Sequence, residues 1–239
     1  PRYAEMLGAD PAAITRKLER MDMGVFYTGI WSGVCLNFRY AGQVVPNRQD
    51  ILAEGGKIFM DKDTSDNQVG MYQKYLDENC AADTAEWLKP YVTLDTMIAA
   101  TITHEYFHPA GRTKERDETI GGAMKLLEEA KATMGGLWVQ YKAGGPEERI
   151  AMVARTVARF CRFFHYTTFN NPTAAPYARE NMVAYNLMHE AGVVKLTDSG
   201  FVVDKKLAAS DAWFLWIEEF VRQMVDVYKH HDKYLIETL

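Results

Sequence analysis

The chain has 239 residues, 48% of them hydrophobic and 25% charged, with a net charge of -5. That length and balance suit one domain with a real core and exclude disorder of the whole chain. The mild negative charge argues against a nucleic-acid surface, and no apolar run approaches the ~20 residues of a membrane helix.

Asp10-Pro11 reads as a helix start, an N-cap with Pro at the first helical position, and the helix is expected to run to about Met23. Residues 24–46 are aromatic and β-branched between glycines, which predicts one or two strands with a turn. Asn47 to Glu54 is expected as a short helix and Lys57 to Met60 as a short strand. Asp61 to Asn67 reads as a polar loop. From Val69 the pattern is helical, with helices expected at about 69–79, 83–90, 94–108, 117–142, 147–168, 176–191 and 205–236. Val193 to Val203 reads as a hairpin turned at Asp198-Ser199-Gly200. The expected fold is therefore mainly α, a single helical domain over residues 1–239. A small β element lies near its N-terminus and a short hairpin near its C-terminus.

His104-Glu105-Tyr106-Phe107-His108 is an HExxH motif. Residues i and i+4 share a helix face, so both imidazoles can hold one zinc, and Glu105 stands next to the metal's water as general base. The segment from Leu94 carries no helix breaker, and Pro109 and Gly111 end the helix after the second histidine. A catalytic zinc needs a third protein ligand and one open position. Glu128 and Glu129 lie 20 and 21 residues after His108 on the next expected helix, and spacing alone does not choose between them. Asp117, Glu118 and Glu128 are the acids available to orient the histidines.

His165 sits in an aromatic stretch with Arg162, and Arg155, Arg159 and Arg162 recur at helical spacing. These arginines could clamp a substrate carboxylate, but structural ion pairs are the commoner use of such a row. The stripe Trp213, Phe214, Trp216, Ile217, Phe220, Met224 and Tyr228 has the spacing of a buried helix face or a self-association surface. Cys35, Cys80 and Cys161 form no CxxC pair and read as reduced, mostly buried thiols of a cytoplasmic protein. The chain opens at Pro1 without a signal segment, so removal of something upstream stays open.

Several segments together resemble the dipeptidyl-peptidase III family of zinc peptidases. Beside the HExxH motif, Glu128-Glu129-Ala130-Lys131-Ala132-Thr133 with the following Gly136-Leu137 looks like the family's Glu-Glu-Cys/Ala-Arg/Lys-Ala-Asp/Glu segment. Val45-Pro46-Asn47, then Gly55-Gly56-Lys57, look like its Pro-Asn and Gly-x-Lys stretches, and Ala178 to Gly192 looks like a C-terminal helix. The resemblance implies one zinc per chain, held by His104, His108 and Glu129. It implies a substrate-backbone contact for Asn47 and a peptide as substrate. It also aligns Tyr177 with a transition-state histidine, where a Tyr hydroxyl would have to serve as the oxyanion donor. The family's zinc motif has one more residue between its histidines, and its N-terminal β-rich lobe is largely absent here. The expected function is zinc-dependent hydrolysis of short peptides. The alternative is an inactive module of the same fold that binds or regulates.

Overall fold

The structure, a computed structural model, describes residues 12, 19–27, 41–45, 56–108, 115, 118–120, 127–164, 170–171 and 174–230. Three strands come first: β1 Asp22–Phe26, β2 Gly42–Val45 and β3 Lys57–Asp61. β3 is central, pairing in parallel with β1 and antiparallel with β2. Helices follow: α1 Lys62–Asn79, α2 Ala82–Leu88, α3 Leu94–Phe107, α4 Glu128–Ala143, α5 Pro146–Phe163 and α6 Ala175–Glu190. The hairpin is β4 Val194–Thr197 with β5 Gly200–Val203. A short α7 Lys205–Ala208 and the long α8 Ala212–His230 complete the described chain. The mainly helical class and both small β elements are as the pattern predicts.

Some boundaries differ from the sequence reading. Residues 62–67, read as a polar loop, are the first turns of α1. Asp61 caps them: its carboxylate accepts from the Asp63 and Thr64 amides at 3.1 and 3.4 Å and from the Thr64 hydroxyl at 2.7 Å. A cluster of polar residues is what a capped helix start looks like, and it mimics a loop. Met23 lies within β1, because pairing with β3 overrides a helical run to that point. The expected helix 117–142 is interrupted, since Leu127 has non-helical dihedrals (φ -116, ψ 2) and caps α4. The expected helix 205–236 breaks after Ala208. Ser210 there accepts from the Ala212 amide at 3.1 Å and restarts the chain as α8. The expected helices from Asp10 to about Met23 and at 47–54 lie largely or wholly outside the described residues.

Two apolar clusters organise the molecule. The larger gathers α1, α4, α5, α6 and α8 around residues such as Tyr72, Leu76, Met134, Val157, Phe160, Trp213 and Phe214. Tyr141 of α4 stacks on Phe214 of α8 at 4.4 Å, fixing those two helices. The α8 stripe is buried as its spacing predicts except at Trp216, which is 41% exposed. The smaller cluster joins Met21 and the β3 residues Ile58 and Met60 to Ile98, Ile102 and Tyr106 of α3. Those three residues recur every fourth position, so one face of α3 rests on the sheet. His104 and His108 recur at the same interval but two residues on, about 200° round the helix, so they face away from the sheet. That face meets α4. Cys80 and Cys161 are buried and free; Cys35 lies outside the described residues.

Candidate metal centre

α3 starts from a capping box. The Thr93 hydroxyl accepts from the Thr96 amide at 3.3 Å, and the Thr96 hydroxyl accepts from the Thr93 amide at 3.0 Å. The helix then runs unbroken to Phe107, and His108 keeps helical dihedrals (φ -54, ψ -52). The two imidazoles therefore stack one turn apart, edge to face, with ring centres 4.6 Å apart. Their Nε2 atoms lie 3.0 Å from each other.

α4 supplies the rest, and glycine lets it come close. A Cβ on Gly136 would stand 3.0 Å from the His104 amide nitrogen, and one on Gly135 would strike the Phe107 ring. Glu128 and Glu129 sit in the first turn of α4, where the helix dipole favours negative charge. Glu129 Oε2 lies 3.3 Å from His104 Nε2. That oxygen is buried and accepts no hydrogen bond among the described residues. One ligand atom each of His104, His108 and Glu129 falls within 4.8 Å of the other two.

The outer nitrogens are held as well. His108 Nδ1 is 3.2 Å from Glu128 Oε1. His104 Nδ1 is 2.9 Å from the Thr133 hydroxyl, which donates its own hydrogen to Glu180 at 2.7 Å. Burial pushes Glu128 up, but the Lys131 ammonium and His108 outweigh it and hold its carboxyl at about 2. Glu128 is thus an acceptor, so His108 carries its proton on Nδ1. Thr133 has spent its hydrogen on Glu180, so His104 does the same. Both Nε2 lone pairs then face a buried carboxylate oxygen, an arrangement that could hold a cation. Burial opposes a charge on His108, yet the surrounding Glu128, Glu129 and Glu105 raise its pKa. Burial likewise pushes Glu129 up, and the nearby histidines with Arg159 hold it below the ordinary carboxylate value.

The donor set fits zinc. Tetrahedral zinc with bonds of about 2.0–2.2 Å places its ligands about 3.3–3.6 Å apart. Two imidazoles and one carboxylate leave a fourth position open. His104, His108 and Glu129 would hold the ion, while Glu128 sits behind His108.

Glu105 is buried on α3, and its charge is felt by both His108 and the Tyr177 hydroxyl. Tyr177 opens α6, half-buried, with its ring 5.8 Å from Phe163. Burial first, then the charge of Glu129, pushes its hydroxyl up to about 12. Arg162 stands apart, its guanidinium over the Phe163 and Tyr72 rings at 4.9 and 5.9 Å. The other arginines of the row are committed too. Arg155 donates to the Thr96 carbonyl at 3.2 Å, and Arg159 is ion-paired with Glu180 at 2.8 Å. Asn47 and His165 lie outside the described residues. Thr133, Glu180 and Lys131 escaped the sequence reading. Thr133 is one turn beyond Glu129 and Glu180 is three residues beyond Tyr177, so helical spacing from the candidates already named would have reached both.

Among solved structures, the fold is similar to the dipeptidyl-peptidase III of Corallococcus sp. strain EGB. The match has a TM-score of 0.63 and 17% identity, covering 84% of this chain and 38% of that one. The DPP III of Caldithrix abyssi matches with a TM-score of 0.57 and 17% identity, covering 84% of this chain and 40% of that one. The chain thus spans about two fifths of the length of these structures, and the likeness is one of fold. No protein-family model matches the sequence, and neither does any curated protein.

Proposed function

We propose that this chain is a zinc-dependent peptidase that hydrolyses short peptides. The observation that carries the proposal is the convergence of His104 Nε2, His108 Nε2 and a buried Glu129 oxygen that accepts no hydrogen bond among the described residues, each histidine being backed by its own acceptor. The DPP III-like fold agrees with it.

A bound zinc supplies Lewis acidity, which polarises a carbonyl and acidifies water. Glu105 takes the proton of the attacking water and returns it to the leaving amine. Tyr177, a neutral hydroxyl at ordinary pH and pushed further up to about 12, donates to the carbonyl oxygen as charge gathers there. Glu128 keeps the His108 ring in register, and Lys131 ties Glu128 to the His108 carbonyl, donating at 2.9 and 2.8 Å. Asn47 would hold substrate backbone. The free thiols suit a cytoplasmic, reducing setting.

The test is metal analysis paired with a peptide library. Chain prepared without chelator is expected to hold about one zinc, and Glu105→Gln should keep the metal while hydrolysis falls at least about 100-fold. His104→Ala should lose both. Absence of zinc, with no thermal stabilisation when zinc is added, refutes the reading. A second reading is a non-catalytic module of this fold, favoured by Tyr177 standing where the resemblance puts a histidine. Full zinc occupancy with no hydrolysis across the library would select it.

A further inference from the structure

We infer that Glu180, on α6, orients the metal ligand His104 without touching it, acting through the Thr133 hydroxyl. The inference rests on the zinc reading above. The Arg159–Glu180 pair also ties α5 to α6, and a plain structural ion pair is the competing explanation. Three details point further. Arg159 Nε donates to Glu180 Oε1 at 3.0 Å and an Nη donates to Oε2 at 2.8 Å, so the guanidinium fork fixes the carboxylate plane. Glu180 is 1% exposed, so no solvent competes for it. Its Oε1 also takes the Thr133 hydrogen at 2.7 Å.

A hydroxyl alone is an ambiguous neighbour for a histidine, because it can donate or accept by rotating. Against an ionised carboxylate it has one choice. Its hydrogen goes to Glu180, its lone pair is left facing His104 Nδ1 at 2.9 Å, and His104 must present an unprotonated Nε2 to the metal. Arg159 sets Glu180, Glu180 sets Thr133, and Thr133 sets the tautomer and tilt of the ligand. Glu180 is a positioning residue, and the direct carboxylate that His108 enjoys from Glu128 is replaced at His104 by a relay across two helices.

A double-mutant cycle on zinc affinity, measured by chelator competition on the whole chain, separates the relay from a structural pair. Thr133→Val should weaken zinc binding about 10- to 100-fold, and Thr133→Ser should restore most of it. Glu180→Gln should weaken binding in the parent chain but add little in the Thr133→Val background. The cobalt-substituted protein should show a shifted d–d absorption in Thr133→Val and a parent-like band in Thr133→Ser. Should Glu180→Gln fail to fold, Glu180→Asp keeps the charge but falls short of Thr133, and the same cycle applies. Equal losses from the Glu180 change in both backgrounds, or unchanged affinity in Thr133→Val, overturn the relay. A parent chain that binds no zinc overturns the zinc reading itself and the relay with it.

Discussion

Each of the paired imidazoles has one nitrogen committed outward and one turned inward toward the other ring, and that division is what makes the cluster a candidate site. The HExxH spacing predicts the shared face. It says nothing of Thr133 or Glu180, which come into view only by counting helical turns onward from Glu129 and Tyr177. The segment that resembles the family pattern carries Thr133 where that pattern has Asp or Glu, and here an acid arrives from another helix instead. Glu128 gives a prediction at this scale. Its carboxyl is held at about 2 against an ordinary 4.5, so the folded chain gains stability from its ionised form. That gain is complete above about 4.5 and disappears as pH falls toward 2. Metal-free Glu128→Gln should therefore be less stable than the parent at neutral pH. The two unfolding midpoints in urea should converge on acidification, and a difference that stays constant with pH contradicts the assignment.

The decisive element is the α3–α4 crossing, and the two glycines of α4 are its cause. In an isolated helix, Gly136→Ala would be favourable by about 1 kcal/mol. Here the new methyl would meet the His104 backbone nitrogen at 3.0 Å, and backbone cannot swing aside as a side chain can. Overpacking of that kind costs about 1–3 kcal/mol, so crowding is expected to win. Gly136→Ala should lower the melting temperature and weaken zinc binding together. A stabilised variant with unchanged metal affinity would contradict the close approach. The glycines were legible in the sequence, but their partner was not, because single-sequence periodicity reports which face is apolar and not which helix lies across it. Element ends were harder still. The Asp61 cap reads as a loop, and the restart at Ser210 is invisible to a periodicity that continues on both sides of it.

For the molecule as a whole, the helical class and both small sheets were readable from pattern, whereas the layering was not. The candidate metal cluster draws on α3 and α4, and the Thr133 contact extends it to α5 and α6. Zinc should therefore stabilise the chain globally. At a free concentration 100 times its dissociation constant the gain is about 2.7 kcal/mol. For a chain of this size that corresponds to a rise of roughly 5–10 °C in melting temperature, reversed by chelator. A calorimetric scan with and without zinc checks it, and coincident scans count against a shared site.

Among the described residues, helix α3 is flanked on two opposite sides: β3 supports it through Ile58 and Met60, and α4 packs against the face that carries the histidines. The consequence is kinetic. An ion held between two packed helices would leave faster when one of them loosens, so its residence time would be set partly by residues that never approach it. Trimming Ile58 to Val should leave ligand identity and stoichiometry untouched yet quicken the transfer of zinc to a chelator, as followed by stopped-flow. Identical release rates would mean the sheet is only a bystander.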